Sequence, residues 1–377
     1  MPDETAERRT AERRRSDVPA PVPVPVRVAA RAAYEQIPLY SPGPADAVPC
    51  AIDVSDNTNL WGAPPAALSA LRASPDDAVT RYPALYGATL KAAIARYAGA
   101  RESEIVTGCG SDDVLDSAMR AFGEPGDVVA HPVPSFSMIP VFARMSGLEP
   151  VGIPLLGASR DYDVDADALL ATGAKIIYLC TPNNPTGTVT SAAAVRKVVE
   201  RATGLVIIDE AYGEFAGETF MAEAVKWGRV LVTRTLSKAF GLAGLRVGYG
   251  VASEAIVREV EKARGPYKLN GMAERAAAAA LGAGLPWVKE HAVMACEVRG
   301  RLTSRLRGMG LRVLPSQGNF VLMESGRAPV LAARLHARGI QVRLFTGLPG
   351  IGDALRIGVG PWEVMEHVLD VLQEALG

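Results

Sequence analysis

One lysine, Lys238, stands among hydroxyls and small residues in the run Thr233–Gly250 (TRTLSKAFGLAGLRVGYG), with Arg246 further along the same run. A lysine amine becomes a nucleophile toward carbonyl carbon when burial or a neighbouring cation lowers its pKa. Thr235 and Ser237 flank it with hydroxyl donors, and Arg246 adds a charge suited to phosphate. A solvated lysine in a surface loop is the plain alternative. Chemistry at this lysine needs partners from elsewhere in the chain.

Those partners lie upstream. Lys175–Cys180 (KIIYLC) is a short apolar run that reads as a buried strand, and it empties into the turn cluster Thr181–Gly187 (TPNNPTG). Leu205–Ile208 reads as a second buried strand, followed by Asp209, Glu210, Ala211 and Tyr212. In a parallel α/β sheet, ligands bind beyond the carboxyl ends of strands, so Asn184, Asp209 and Tyr212 can meet there. Each also has a structural use: Asn184 as a turn former, Asp209 as a helix cap, Tyr212 as a packing residue. Further upstream, Ile105–Gly110 (IVTGCG) leads into Ser111, Asp112 and a helical run. Small residues before a helix let backbone N–H groups approach an anion, although Ser111 is equally an ordinary N-cap. The cofactor that uses a Schiff-base lysine, an acid for a ring nitrogen and a phosphate cradle together is pyridoxal 5′-phosphate.

The segments PNNPTG, DEAYGEF, RTLSKAFGLAGLRVGY and, near the end, LRIGVG resemble the fold-type I pyridoxal-phosphate aminotransferases (class I/II). The histidinol-phosphate aminotransferase branch is the nearest likeness, running from about Tyr40 to the C-terminus. The resemblance implies that Lys238 holds the cofactor as an internal aldimine and later shuttles protons at the substrate α-carbon. It implies that Asp209 pairs with the pyridine nitrogen and that Asn184 and Tyr212 face the phenolic oxygen. Ser111, Asp112, Thr235, Ser237 and Arg246 would hold the phosphate, and Phe136 would stack on the ring, with core packing as its alternative. Tyr82 matches a tyrosine that reaches the neighbouring subunit's cofactor phosphate, which implies a homodimer with shared active sites. Arg356, in an apolar strand-like run, and Asn319 match the carboxylate anchor; with Arg343, the same arginine would take a substrate phosphate. Tyr40 matches a tyrosine that closes over substrate.

The chain departs from that branch at Ser55–Gly62 (SDNTNLWG), at Ile139 and at Lys268, all of which bear on the substrate pocket and none on the cofactor. The expected reaction is amino transfer from histidinol phosphate to 2-oxoglutarate. Two alternatives stand: an aminotransferase for an aromatic or basic keto acid in specialised metabolism, and a lyase like phosphothreonine decarboxylase, since fold does not fix function.

With 377 residues, 49% of them hydrophobic, the chain can build two packed lobes. Its net charge of −1 argues against nucleic acid or a membrane surface as the main partner, leaving a small-molecule amino donor and keto acceptor. Apolar runs are too short to span a bilayer, the alanine-rich Ala273–Leu285 included. Cys50, Cys109, Cys180 and Cys296 are scattered, with no metal-ligand spacing, and read as reduced thiols. No apolar export core follows the early arginines, so a cytoplasmic location is expected. The fold class expected is α/β: a mostly parallel central sheet flanked by helices, with a smaller α+β domain. Residues 1–27 read as a disordered Pro/Arg-rich tail, 28–60 as an N-terminal arm joining the small domain, 61–264 as the large domain, and 265–377 as the small domain. Within the last, strands are expected at Leu311–Leu314, Asn319–Met323 and Leu355–Val359.

Overall fold

The computed structural model describes residues 28–35, 37–39 and 50–377. The expected tail at 1–27 and Tyr40 lie outside the described residues. The chain divides into two units, Met1–Pro38 and Leu39–Gly377. Of the first, the described part holds one short helix, Ala32–Glu35.

The second unit carries the strands, in chain order β1 (Ile52–Asp53), β2 (Ile105–Cys109), β3 (Val128–Val133), β4 (Glu149–Pro154), β5 (Ile176–Cys180), β6 (Leu205–Asp209) and β7 (Val230–Thr235). They continue with β8 (Val247–Ala252), β9 (Arg312–Val313), β10 (Phe320–Glu324), β11 (Ile340–Gln341), β12 (Arg343–Leu348) and β13 (Gly352–Gly358). Seven of them form one sheet in the order β2-β8-β7-β6-β5-β3-β4. The pairs β7–β6, β6–β5, β5–β3 and β3–β4 are parallel; β8 alone runs against both neighbours. This is the mostly parallel sheet the sequence predicts.

The reason is visible in β5, β6 and β7, where every residue is buried. A strand covered on both faces reads as a continuous apolar run rather than an alternating one. Ile177, Leu179, Val206, Ile208, Val230 and Val232 pack into one core with helices Ala88–Ala98, Ala192–Arg201 and Gly271–Leu281. Their neighbours Ile176, Tyr178, Leu205, Ile207 and Leu231 pack on the other face, with helices Ser111–Phe122, Ile139–Met145 and Glu254–Arg264. Each fully buried Leu, Ile or Val stabilises the fold by about 1.5–3 kcal/mol, so the sheet centre is fixed by these runs.

The four-stranded sheet is antiparallel, in the order β12-β13-β10-β9. Val321, Met323, Leu355 and Ile357 share a core with helices Ala328–Ala337 and Trp362–Leu376. Helix Leu285–Gly308 joins the two halves: Val288, Ala292 and Ala295 belong to the large-sheet core, Leu302 and Leu306 to the small-sheet core. Upstream, β1 pairs in parallel with β11.

Candidate active site

The carboxyl ends of β5, β6 and β7 and the helix that follows β2 face a cavity of about 660 Å³. Its wall includes Ser111, Asp112, Phe136, Asn184, Asp209, Tyr212, Thr235, Ser237, Lys238, Arg246, Arg343 and Arg356. Residues spread over 245 positions of sequence are thereby brought together, from Ser111 to Arg356.

Lys238 lies just past β7, and its Nζ donates to the Asp56 carbonyl at 2.7 Å while standing 5.9 Å from the centre of the Tyr212 ring. Burial lowers its pKa to about 8, and the Arg356 and Arg246 charges push the same way, against Asp56 and Asp112. A share of the amine is therefore neutral near physiological pH, as a nucleophile toward carbonyls requires.

Asp209 ends β6. Its Oδ2 accepts from Tyr178 Oη at 2.8 Å and its Oδ1 from the Ala211 N–H at 3.1 Å. Burial raises its pKa to about 6 despite these bonds. Among the described residues no Lys or Arg pairs with it, so a protonated ring nitrogen presented from the cavity would supply the missing cation. Tyr212 is buried, and desolvation pushes its phenol up to about 12. Its Oη accepts from Asn57 Nδ2 at 3.0 Å, and its ring meets Phe320 edge-on at 5.0 Å.

The anion cradle forms where β2 and β7 end and β8 begins. Gly110, at φ 80°, caps helix Ser111–Phe122, and no side chain caps it. Ser111 is thus the first helical residue and not the N-cap, which leaves the cavity to face the helix start directly. Arg246, at φ 53°, sends NH1 to Ser237 Oγ at 3.3 Å and NH2 to Asp112 Oδ2 at 3.2 Å. Thr235 Oγ1 donates to Ser237 Oγ at 3.0 Å. A Cβ at Gly248 would lie 2.1 Å from the Ser111 nitrogen, and one at Gly110 would lie 2.6 Å from Arg246 NH2. Glycine at both places is what lets strand, helix start and guanidinium close around an anion of phosphate size. A cationic, hydroxyl-rich cradle, a lone buried carboxylate and a lysine of lowered pKa fit a phosphorylated pyridine aldehyde.

Arg343 on β12 and Arg356 on β13 are direct register partners, and both line the cavity. Arg356 is buried; NH1 donates to Asn184 Oδ1 at 2.5 Å and NH2 to the Ser55 carbonyl, with Phe320 and Phe345 rings 5.5 and 5.7 Å away. Two guanidinium groups side by side suit a dianion or a carboxylate.

Two expected positions fall elsewhere. Asn319 is buried behind the wall, where its Nδ2 donates to the Asn57 carbonyl at 3.0 Å, so it supports the site through Asn57 and does not line it. Tyr82 is 83% exposed, outside the cavity, and stacks on Tyr267 at 4.9 Å. Tyr40 is outside the described residues. Of the departures, Ile139 is in the core beneath the sheet and Lys268 pairs with Asp113 at 3.4 Å, so neither lines the cavity. The Ser55–Gly62 segment does: Asp56 and Thr58 are on the wall, and Asn57, at φ 54°, bridges Asn319 and Tyr212. Sequence reasoning saw this segment as a departure and missed that its backbone holds Lys238 and Arg356. The asparagine spacing at Asn57 and Asn59 is the signal that could have marked it.

Residues 51–372 match the family described as aminotransferase class I and II. The histidinol-phosphate aminotransferase of Thermoanaerobacter pseudethanolicus is 37% identical over 303 residues, 79% of this chain and 85% of that protein. That of Roseiflexus castenholzii is 39% identical over 337 residues, 86% of this chain and 89% of that protein. In structure, the Sinorhizobium meliloti histidinol-phosphate aminotransferase in complex with pyridoxal-5′-phosphate superposes with a TM-score of 0.77 at 27% identity, over 87% of this chain and 91% of that one. The chain belongs to the class I and II aminotransferases.

Proposed function

We propose that this aminotransferase uses pyridoxal 5′-phosphate to move an amino group from histidinol phosphate to 2-oxoglutarate, giving imidazole-acetol phosphate and glutamate. The observation that carries the substrate is the pairing of Arg343 with Arg356 across β12 and β13 in the cavity that also holds Lys238. Histidinol phosphate has a phosphate and no carboxylate, whereas glutamate has two carboxylates, and one pair of guanidinium groups can take either kind of anion. The names of the similar proteins agree with this reading.

When bound, pyridoxal phosphate supplies an electron sink for negative charge at the substrate α-carbon. The chain's own residues do the rest. Lys238 Nζ would be the amine that holds the cofactor through its carbonyl and would carry a proton to and from the α-carbon. Asp209 would hold a proton on the ring nitrogen. Ser111, Asp112, Thr235, Ser237 and Arg246 would hold the phosphate, Asn184 and Tyr212 would serve the phenolic oxygen, and Phe136 would cover the ring. We further propose a homodimer in the cytoplasm. The exposed Tyr82–Tyr267 stack supports the dimer. Four free cysteines support a reducing location; no helix among the described residues is long and apolar enough to cross a membrane.

Mixing the loaded enzyme with histidinol phosphate should convert the cofactor to its amine form within one turnover, while phenylalanine and arginine do so far more slowly. Stopped-flow absorption decides it, and the reverse preference sinks the reading. Arg343→Ala should raise KM for histidinol phosphate about tenfold or more, the loss of one charge-assisted contact, and affect simple amino acids less. Equal losses would make Arg343 structural.

A further inference from the structure

A second polar cluster, formed by Arg234, Glu210, Glu214 and Thr219, adjoins Asp209 and Tyr212 in sequence but is not part of the cavity wall. Arg234, on β7, is 3% exposed and sends every side-chain bond described for it to one segment of chain, residues 210–219. Its Nε and NH2 reach Glu210 Oε2 at 2.9 and 2.7 Å, NH1 reaches Glu214 Oε1 at 2.7 Å, and NH2 reaches Thr219 Oγ1 at 2.9 Å. Glu210 Oε1 accepts the Phe220 N–H at 2.6 Å and Oε2 accepts Thr219 Oγ1 at 2.7 Å. One guanidinium thus ties the turn that carries Tyr212 to the strand that runs into Lys238.

Gly213 belongs to the same device. A Cβ there would lie 2.4 Å from Arg234 Cζ and 2.6 Å from both terminal nitrogens, so only glycine lets the guanidinium sit under the turn. The turn is tight in its own right, with the Gly213 N–H on the Glu210 carbonyl at 2.8 Å and the Phe215 N–H on the Tyr212 carbonyl at 3.1 Å. The Asp-Glu-Ala-Tyr-Gly-Glu run therefore holds two sets of groups, Asp209 and Tyr212 facing the cavity and Glu210 and Glu214 facing Arg234.

Stability is a poor reason for this cluster. Two buried carboxylates share one guanidinium, and Glu214 Oε2 has no partner. Buried ion pairs commonly cost as much in desolvation as they return, and apolar residues of similar volume often serve as well. What a bidentate guanidinium gives that apolar packing does not is a fixed direction.

We propose that Arg234, clamped by Glu210 and Glu214, is a positioning residue for the transamination: it sets the Tyr212 hydroxyl relative to Lys238. The inference rests on the reading that pyridoxal phosphate joins Lys238. Tyr212 meets that site from one side and Asn57 holds its hydroxyl from the other, so a shift of the 210–214 turn moves the hydroxyl against a fixed partner. A misplacement of about 1 Å costs on the order of a hundredfold in rate.

The test uses the loaded full-length enzyme with Arg234→Met, Gly213→Ala and Thr219→Val. None of these alters Arg356, Arg246, Asp56 or Asp112, the charged groups that act on Lys238. In Arg234→Met and Gly213→Ala, kcat should fall about tenfold or more, with KM for both substrates within about twofold. The pH midpoint of the visible absorption change at the lysine–cofactor linkage should rise by about one unit as Tyr212 withdraws. Thr219→Val, which loses one hydroxyl, should shift both in the same direction by less. Where Arg234→Met fails to fold, Gly213→Ala and Thr219→Val decide, since both keep all three charges. Variants that melt earlier yet keep the wild-type midpoint and kcat would reduce Arg234 to a structural role and overturn the proposal. A wild type that takes up no pyridoxal phosphate would instead be the failure of the functional reading.

Discussion

Asp209 is a carboxylate held in a place that suits it badly until a cation arrives. Burial lifts its pKa from 3.8 to about 6, although Tyr178 and the Ala211 N–H both donate to it. A group whose folded pKa is raised adds stability below its unfolded value and loses it as pH rises through the folded one. The cofactor-free protein therefore carries a penalty from Asp209 above about pH 6, on the order of 3 kcal/mol for a shift of this size. Lys238 has the opposite shift for the same reason, its pKa lowered to about 8. Its depressed value costs stability as pH falls through about 8 and relieves the fold above 10.5. Both residues give up stability for chemistry. In Asp209→Asn, the side-chain oxygen can take the Ala211 N–H while its amide donates to Tyr178. The cofactor-free variant should accordingly melt a few degrees higher than wild type at pH 8, with the gap closing toward pH 5. The same variant, loaded, should lose most of its turnover while still binding pyridoxal phosphate, because the ring nitrogen has lost its acid partner. Calorimetry at the two pH values is the check. A variant no more stable at pH 8 than wild type would show that Asp209 carries no such penalty.

The helix start at Ser111 works only because β8 passes close to it. Gly248 is the point of contact, and an added methyl would lie 2.1 Å from the Ser111 nitrogen and 2.3 Å from the Gly110 carbonyl carbon. Gly248→Ala should push the first helical turn away from Arg246 and weaken pyridoxal 5′-phosphate binding by about tenfold or more, the worth of one charge-assisted bond. Pyridoxal without its phosphate should bind both proteins alike in an equilibrium titration; an equal loss for the two would mean that this cradle does not hold the phosphate. The elements around this point were also the legible ones. The strands β5 and β6 were readable because burial on both faces leaves an unbroken apolar run, and the glycines of IVTGCG marked the close approach. Exposed edges were not. Arg343–Leu348 alternates half-buried and exposed residues and includes Gly347, and Glu149–Pro154 contains two prolines on an outer strand. Neither presents the apolar signal that a central strand must have. The alanine-rich stretch Ala273–Leu285 is interrupted: one helix ends at Leu281 and the next begins at Leu285, and at Gly284 between them an added Cβ would lie 2.8 Å from the Ala280 Cα. Of the site itself, the polar residues at strand ends were legible. The Asn57 bridge was not, since its role depends on two contacts far apart in sequence, Tyr212 and Asn319.

Helix Leu285–Gly308 joins the core on one face of the large sheet to the core of the small sheet, and the cavity takes Arg343, Phe345 and Arg356 from the smaller sheet and most of the remaining wall from the larger. Under the proposed function, such a division would make the substrate's anionic end and the cofactor end separate responsibilities of the two halves. It leaves one feature without use inside the single chain. Val79 is 78% exposed, Tyr82 83%, Leu85 53% and Tyr267 47%, and the two tyrosines stack on each other at 4.9 Å. Large apolar side chains standing this far out of the surface within a short stretch mark a contact surface more often than scattered exposure does. The proposed homodimer would cover them, and a two-fold axis would repeat the contact so that each Tyr82 would reach the other subunit's cofactor phosphate. Sedimentation equilibrium should give a dimer at assay concentrations, and Tyr82→Phe should weaken cofactor binding without changing that mass. Mixing Tyr82→Phe with Lys238→Ala chains should then yield heterodimers in which one site carries both lesions and the other neither. Their activity per intact site should equal that of wild type. A fully active monomer in the centrifuge would end the shared-site reading, and heterodimers that gain nothing over the parent variants would place Tyr82 within its own subunit's site.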